Sequence, residues 1–217
     1  MTRYGRRQLI IDSLSLKQAE SRLAISRHAC VLFWESGVSA TSGDDIAARA
    51  GLSTRTIWRH FRSKESCVEP VLAQSAHRFI EILGRWPAQL SLAEHLAADV
   101  VEHPLTQQDI DDEVAAMRIA TMSTSEPALR TAYLMVHDEL ERGFIPVIAQ
   151  RLGLTDDDLT VRLCAAAVTG AFRVVDEDVS RAIVVDHRAV TQSEALALID
   201  RAIRDATNGR LGGPMTA

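Results

Sequence analysis

The amino-acid sequence predicts an all-α protein. Hydrophobic residues make up 47% of the 217 positions, which is enough for a sizeable core, yet only 5% of the residues are aromatic. Glycine (11) and proline (6) are scarce, and the β-branched and aromatic runs that are typical of strands are nearly absent. Apolar residues recur instead with the three- and four-residue spacing of one helix face.

The first helix is expected to begin near Leu16. Ser15 and Gln18 have the spacing of a capping box, in which two side chains satisfy free backbone groups at a helix start. Gly37 predicts the end of this helix, because glycine adopts the left-handed conformation that commonly follows the last turn.

Residues 42–61 predict two short helices joined by a tight turn. Ser42 is suited to cap the first helix, DDIAARA, which Gly51 then ends. Ser53 is suited to cap the second helix, expected over Thr54–Phe61. Because so short a turn prevents antiparallel packing, the two helices should cross steeply, as in a helix-turn-helix whose second helix enters the DNA major groove.

One face of this second helix is expected to be buried and the other exposed. Ile57 and Phe61, one helical turn apart, predict the buried face. The exposed face then carries Thr54, Arg55, Thr56, Trp58, Arg59 and His60. Such a row of hydrogen-bonding groups, cations and an aromatic ring suits groove edges and phosphates better than a catalytic pocket.

The rest of the chain predicts further helices of amphipathic or small-residue character. Their expected ranges are 64–83 (capped by Ser63), 91–103, 109–121, 126–152, 158–183 and 193–207. Pro146 lies inside one of them and predicts a kink or break there, because proline removes a backbone hydrogen bond. The segment LGGPMTA that ends the sequence is expected to be a frayed tail.

The charges are distributed unevenly along the chain. Residues 1–64 carry 11 Lys and Arg against 5 Asp and Glu, whereas residues 65–217 carry 13 against 24. A basic head followed by an acidic body indicates that only the head meets a polyanion.

Several classes of protein are disfavoured by the sequence. No apolar stretch is long enough to span a membrane, and the N-terminus does not resemble a signal peptide. The three cysteines, Cys30, Cys67 and Cys164, lie far apart without a CxxC pair, which favours a reducing cytoplasm. Cys67 follows a predicted helix start, where a lowered thiol pKa would permit redox sensing.

No enzyme, metal site or cofactor is expected. The sequence has no P-loop, GxSxG or dinucleotide-binding fingerprint and no HxxxH pair. The acidic runs at 109–113 and 156–158 are explained by helix starts. The acidic run at 176–178 is interpreted as a solvated face.

The run ATSGDDIAARAGLSTRTIWRHFRSKE, Ala40–Glu65, resembles the DNA-binding signature of TetR-type transcriptional regulators. The preceding LFWESG, Leu32–Gly37, is similar to the end of that family's first helix. The resemblance covers roughly residues 20–70. It implies a TetR-like all-α fold, with a three-helix helix-turn-helix head and a helical body for ligand binding and dimerisation.

The resemblance also implies DNA contacts for particular residues. Trp58 stands where a phosphate-contacting tyrosine is usual, and Arg55 replaces a small residue, so that it can pair bidentately with guanine. Arg62 stands where proline is common and adds a possible phosphate contact. The residues expected to bind DNA are Ser42, Thr54, Arg55, Thr56, Trp58, Arg59, His60 and Lys64.

The domains expected are a basic N-terminal extension (1–15), the DNA-binding head (16–64) and the ligand-binding and dimerisation body (65–217). Arg3, Arg6 and Arg7 in the extension are either an arm on the minor groove or phosphates, or part of a solvated tail. The small residues of helix 158–183 permit close helix approach, and the resemblance implies a homodimer through this helix and helix 193–207, with intrachain packing alone as the alternative.

An effector pocket is implied for the body, although aromatic residues at helical spacing are more often simply core. The residues proposed to line it are Phe79, Trp86, Met117, Arg118, Thr121, Tyr133, His137, Phe144, Cys164, Val168 and Phe172. The resemblance therefore implies a bacterial, cytoplasmic regulator that binds a palindromic operator as a dimer and responds to a small molecule; repression is the family's usual outcome, and activation is the alternative. The alternatives are a helical binding module with vestigial DNA binding, and a thiol-sensing regulator.

Overall fold

The computed structural model describes residues 3–215, with side chains from residue 16 onward, and none of these residues forms a β-strand. The chain divides into two compact units, Met1–Val71 and Leu72–Ala217. The all-α fold class predicted from the sequence is confirmed.

The first unit contains three α-helices and a 3-10 turn. These are α1 (Arg3–Ser36), α2 (Gly43–Ala50), α3 (Thr54–His60) and a 3-10 turn (Glu65–Val68), after which α4 (Glu69–Gly84) leads into the second unit. α1 and α3 supply the fully buried side chains of Phe33 and Ile57. Burying a side chain of this size stabilises a fold by roughly 1.5–3 kcal/mol, so α3 is held to the unit by its apolar face.

The second unit is a helical body in which α8 is central. Besides the rest of α4, it contains α5 (Leu92–Glu102), α6 (Gln107–Ser123), α7 (Pro127–Leu152), α8 (Leu159–Val184) and α9 (Gln192–Ala206). α8 packs against α6, α7 and α9. The inward faces of α7 and α8 provide large buried residues, among them Tyr133 and Phe144.

Two helix starts, those of α1 and α4, differ most from the sequence prediction. α1 begins at Arg3 rather than near Leu16. α4 begins at Glu69, because the predicted first turn after Ser63 is a 3-10 turn. Ser63 nevertheless caps this turn, since its hydroxyl accepts the Ser66 amide at 3.2 Å, and Pro70, which has no amide hydrogen, suits the first turn of the α-helix that follows.

Of the kink or break predicted at Pro146, the break does not occur, because α7 continues through this residue as one helix. Pro146 is exposed, so the carbonyl that loses its intrahelical partner there lies on the side of the helix that faces water.

The prediction of a frayed tail at 211–217 was also wrong for the residues that are described. Leu211 is buried, the Leu92 amide donates to the Gly212 carbonyl at 2.8 Å, and the Met215 amide donates to the Ala88 carbonyl at 2.8 Å. These backbone bonds hold the tail against the segment before α5. The last two residues of the tail lie outside the described part of the chain.

Candidate nucleic-acid interface and effector site

The α2–α3 segment forms the predicted helix-turn-helix with caps at both helix starts. The Ser42 hydroxyl accepts the Asp45 amide at 3.1 Å, and the Asp45 carboxylate accepts the Ser42 amide at 2.8 Å. The Ser42 hydroxyl also donates to the Asp45 carboxylate at 2.6 Å, and the two bonds that the carboxylate accepts, first from the hydroxyl and then from the amide, lower the pKa of Asp45. Gly51 follows α2 with φ of 67°, in the left-handed region, and Ser53 caps α3 by accepting the Thr56 amide at 3.2 Å.

The two faces of α3 differ in exposure as the sequence predicts. Ile57 is completely buried, and Phe61, just after the helix, is 5% exposed. Arg55, Trp58 and Arg59 are exposed. Thr54, Thr56 and His60 are partly exposed, and Ser42 at the start of α2 is exposed. The helix thus offers two guanidinium groups and an indole to a partner while its apolar side anchors it.

The polar groups of this face are already partly ordered by neighbours. The Thr54 hydroxyl donates to Asp44 at 2.5 Å, and the Ser53 and Thr56 hydroxyls lie 2.9 Å apart. Burial, followed by the charges of Arg59 and Arg22, lowers the pKa of His60. His60 is therefore neutral at pH 7 and would contact DNA as a hydrogen-bonding group rather than as a cation.

Lys64 has a structural role that the sequence did not reveal. Its Nζ donates to the carbonyls of Val38 (2.7 Å) and Thr41 (2.8 Å). These bonds tie the residue after α3 to the α1–α2 turn and leave one N–H for another acceptor. Arg62, predicted as a phosphate contact, forms an ion pair with Glu69 while its side chain remains 59% exposed. The side chains of Arg3, Arg6 and Arg7 lie outside the described residues.

The proposed effector residues lie in the body, and a chain of ring contacts joins five of them. The ring centroids are 4.3 Å apart for Tyr133 and His137, 6.4 Å for His137 and Phe172, 4.8 Å for Phe172 and Phe79, and 5.9 Å for Phe79 and Phe144. This aromatic chain connects α4, α7 and α8 through the interior of the body.

A small apolar cavity lies at the Phe144 end of this chain. Trp86, Phe144 and Val168 line it together with Leu83 and Leu92, and its volume is about 20 Å³. A cavity of this size holds roughly one water molecule. At this volume the cavity is too small for an organic effector. The Arg151 guanidinium lies on one face of the Trp86 ring, 3.6 Å from the ring centre.

The remaining proposed residues are less closely associated with the aromatic chain. The Thr121 hydroxyl donates to the Met117 carbonyl of its own helix at 2.9 Å. Met117 and Arg118 are partly exposed on α6, and Cys164 is buried on α8.

The interpretation of 176–178 as a solvated face was wrong for two of the three residues. The Tyr133 hydroxyl donates to Asp176 at 2.7 Å, and Glu177 pairs with both Arg130 (2.6 Å) and Arg173 (2.9 Å). Only Asp178 is exposed. The signal that could have revealed this is spacing, because Thr169, Phe172 and Asp176 recur at three and four residues on one face of α8.

The structure also contradicts a lowered pKa for Cys67. The residue is completely buried, and burial, with the nearby carboxylates of Glu65 and Glu69, raises the pKa of its thiol to about 12. The thiolate needed for redox chemistry is therefore suppressed, and Cys67 is a packing residue.

Other kinds of site find no support in the part of the chain that is described. Over these residues, no three His, Cys, Asp or Glu side chains come together as a metal site. No helix among them is both long and apolar enough to cross a membrane.

Comparisons with known proteins agree with this architecture. Residues 25–71 match the sequence model described as bacterial regulatory proteins, tetR family, and residues 90–208 match the one described as the MftR C-terminal domain. The HTH-type transcriptional regulator TcmR of Streptomyces glaucescens is 28% identical over 200 residues, which span 90% of this chain and 86% of TcmR.

Solved structures resemble the fold at low sequence identity. A tetR-family transcriptional regulator from Streptomyces coelicolor superposes with a TM-score of 0.52 at 18% identity, covering 87% of this chain and 82% of that one. GusR of Salmonella enterica superposes with a TM-score of 0.50, also at 18% identity, covering 87% and 96% of the respective chains.

Proposed function

This chain belongs to the TetR family of DNA-binding transcriptional regulators, and from that premise we propose that it is an effector-responsive repressor. It binds a palindromic operator as a homodimer in the bacterial cytoplasm, and a small molecule bound in the body releases it. It acts by binding rather than by catalysis.

The observation that carries this proposal is the two-sided character of α3. Ile57 is fully buried, whereas Arg55, Trp58 and Arg59 remain exposed on the same short helix. A helix whose apolar face is packed against the rest of the unit and whose polar face is exposed can enter the major groove as a rigid element and contact base edges. We assign base contacts to Thr54, Arg55 and Thr56 at its start, and backbone contacts to Ser42, Trp58, Arg59, His60 and Lys64.

An apolar stripe on α8 supports the homodimer. Leu159, Leu163 and Val174 are 65%, 61% and 56% exposed, and their spacing places them on one face of the helix together with Ala166 and Gly170. On α9, Leu198 is also exposed. Apolar surface of this kind is usually covered by a partner, and a two-fold dimer presents its recognition helices to half-sites about 34 Å apart.

The tight packing of the body supports a switch between two arrangements. Since the cavity of about 20 Å³ beside Phe144 does not admit an organic molecule, an effector that binds among the aromatic residues has to separate helices. It therefore favours a different helix arrangement from the one described here. Such preference for one of two states is what a ligand needs in order to shift the equilibrium between them.

A selection of random-sequence DNA by the purified protein at a stated salt concentration tests the proposal. We expect a palindrome whose half-sites lie about one helical turn apart. The matched control is Arg55→Ala, which should enrich the same palindrome with a weaker preference at one symmetric position. A folded, dimeric protein that enriches no sequence would contradict the proposal.

A further inference from the structure

A carboxyl group between the helices of the body, that of Asp176, forms no ion pair among the described residues. Asp176 on α8 is only partly exposed, and its carboxylate accepts a hydrogen bond from the Tyr133 hydroxyl of α7. Two carboxylates, Glu113 on α6 and Glu177 on its own helix, act on its charge. Burial and these two neighbours raise the pKa of Asp176 to about 6, so the group is nevertheless mostly ionised at pH 7.5.

The guanidinium groups of the helices around Asp176 form ion pairs with other carboxylates. Arg78 on α4 is shared between Asp109 (2.9 Å) and Glu113 (3.2 Å). Arg130 on α7 and Arg173 on α8 both pair with Glu177. Among the described side chains, none of these three forms an ion pair with Asp176.

His137 supplies a further acceptor next to Tyr133, the residue whose hydroxyl bonds Asp176. Its Nδ1 lies 2.9 Å from the Tyr133 carbonyl, which can only accept, so Nδ1 carries the proton and Nε2 has a free lone pair. Burial lowers the pKa of His137 and keeps it neutral. His137 is only 8% exposed, and its Nε2 is buried without a hydrogen-bond partner among the described residues.

The orientation of His137 turns this acceptor toward the interior. Since Nδ1 is bonded to the backbone of α7, Nε2 on the far side of the ring points away from that helix. The Phe172 ring of α8 lies 6.4 Å from the imidazole. Thr169, one turn before Phe172, has a buried hydroxyl without a partner in the described part of the chain. Buried polar groups are nearly always hydrogen-bonded, so these two atoms are available to the polar group of a bound molecule.

From this arrangement we infer that the effector is an organic cation with an aromatic body, whose charged N–H group donates to Asp176 and His137. The inference rests on the proposed function, because it names the ligand class for the effector site. The stacked rings of Phe79 and Phe172, 4.8 Å apart, adjoin the polar groups and would part to hold the aromatic body. A cation is favoured because it neutralises the unmatched carboxylate, and both aromatic faces and carboxylates attract ammonium groups.

A series of three naphthalene probes tests the required charge. 1-Naphthylmethylammonium, 1-naphthylmethanol and 1-naphthoate share one ring system and carry positive, neutral and negative groups. Titration calorimetry on the full-length dimer at pH 7.5 should show the ammonium binding at least tenfold more tightly than the alcohol, with no binding of the carboxylate. Equal or tighter binding of the alcohol or naphthoate, or binding of none of the three, would overturn the inference.

Substitution and pH assign the preference to Asp176. Asp176→Asn keeps an oxygen for the Tyr133 hydroxyl and should abolish the tenfold preference, whereas Asp178→Asn, at an exposed neighbour on the same helix, should leave it unchanged. Lowering the pH from 7.5 to 5 should weaken ammonium binding about tenfold in the wild type, because Asp176 becomes protonated. It should have little effect in Asp176→Asn. A thermal melt of each variant confirms that it is folded.

Operator release is measured separately, so that the two proposals fail independently. If the ammonium binds through Asp176 but leaves operator affinity unchanged, the ligand class stands and effector-responsive release is wrong. If the protein binds its operator but shows no preference for the ammonium, the regulator stands and the cation inference is wrong.

Discussion

Trp58 occupies the space that a side chain at position 43 would need. A Cβ placed on Gly43 would lie 2.1 Å from Cζ2 and 2.7 Å from Cη2 of the indole. Gly43 is the first residue of α2, and Trp58 lies on α3. The missing side chain at Gly43 therefore lets the indole pack on the start of α2, and this contact helps to set the position of the α3 surface that we assign to DNA.

Gly43→Ala is expected to weaken operator binding. The added methyl group forces the edge of the indole away from the start of α2, and because Trp58 is 45% exposed the ring can move outward. We expect a loss of roughly tenfold in operator affinity by fluorescence anisotropy, equivalent to about 1.4 kcal/mol, with little change in Tm. Gly84→Ala is the control, because a Cβ there meets nothing within 4 Å. Unchanged operator affinity in Gly43→Ala would show that the contact does not position α3.

Arg55→Ala and Lys64→Ala are expected to have different effects on DNA binding. Removing the exposed Arg55 side chain should cost about 1–3 kcal/mol at the preferred base and relax specificity there. Lys64→Ala removes the bonds to the Val38 and Thr41 carbonyls. It should lower Tm, weaken binding to all sequences alike and reduce the salt slope by about 1. Affinities for matched and mismatched duplexes over a salt series distinguish the two patterns. Identical effects of both variants would refute the assigned roles.

Leu163→Glu is expected to dissociate the homodimer. Leu163 is 61% exposed on the apolar stripe of α8, and two buried carboxylates at a two-fold interface would be strongly unfavourable. Sedimentation velocity should show a monomer that binds the full operator at least 100-fold more weakly. Val101→Glu, at a residue that is 80% exposed on α5, should remain dimeric. A dimeric Leu163→Glu protein would place the interface elsewhere.

Cys67 is expected to be inert in the folded protein. With its pKa at about 12, its thiolate fraction at pH 8 is roughly a thousandfold below that of a free cysteine. Ellman's reagent should therefore label Cys67 only after unfolding, as followed by absorbance and peptide mass spectrometry. Rapid labelling of native protein at this position would restore the thiol-sensing alternative.

Asp176→Asn is expected to stabilise the body near neutral pH. The folded-state pKa of Asp176 is raised to about 6 from an ordinary 3.8, so the native state binds more protons than the unfolded state between those values. Stability from this group is complete below pH 4 and is lost as the pH rises through 6. Asparagine does not ionise and so avoids that loss. The free energy of unfolding should therefore rise by about 1–3 kcal/mol at pH 7.5 and change little at pH 4. Urea unfolding at both pH values measures it, and a variant destabilised at pH 7.5 would contradict the account.

The head was largely predictable from the sequence because its signals are local. Ser42, Gly51 and Ser53 act through backbone groups three or four residues away, and the structure shows each cap where the sequence placed it. The burial of Ile57 and Phe61 also follows from helical spacing within a short segment.

The polar interior of the body was not predictable in the same way. The partner of Tyr133 is Asp176, 43 positions later, and the role of Lys64 depends on carbonyls 23 and 26 positions earlier. Such contacts arise only when separate helices pack. An acidic run such as 176–178 is the same in sequence whether it faces water or a neighbouring helix.

Binding to operators with altered half-site spacing tests the central claim most directly. On the selected palindrome, the account predicts one dimer per site, and a loss of at least 100-fold when five base pairs are inserted between the half-sites, because one recognition helix then faces the wrong side of the duplex. Inserting a full turn of ten base pairs would move the half-sites farther apart than the two recognition helices of a rigid dimer can reach. The affinity for this operator should be as low as that for the operator with five inserted base pairs. Equal affinity for the selected, five-base-pair and single half-site duplexes would contradict a dimer that reads two consecutive major grooves.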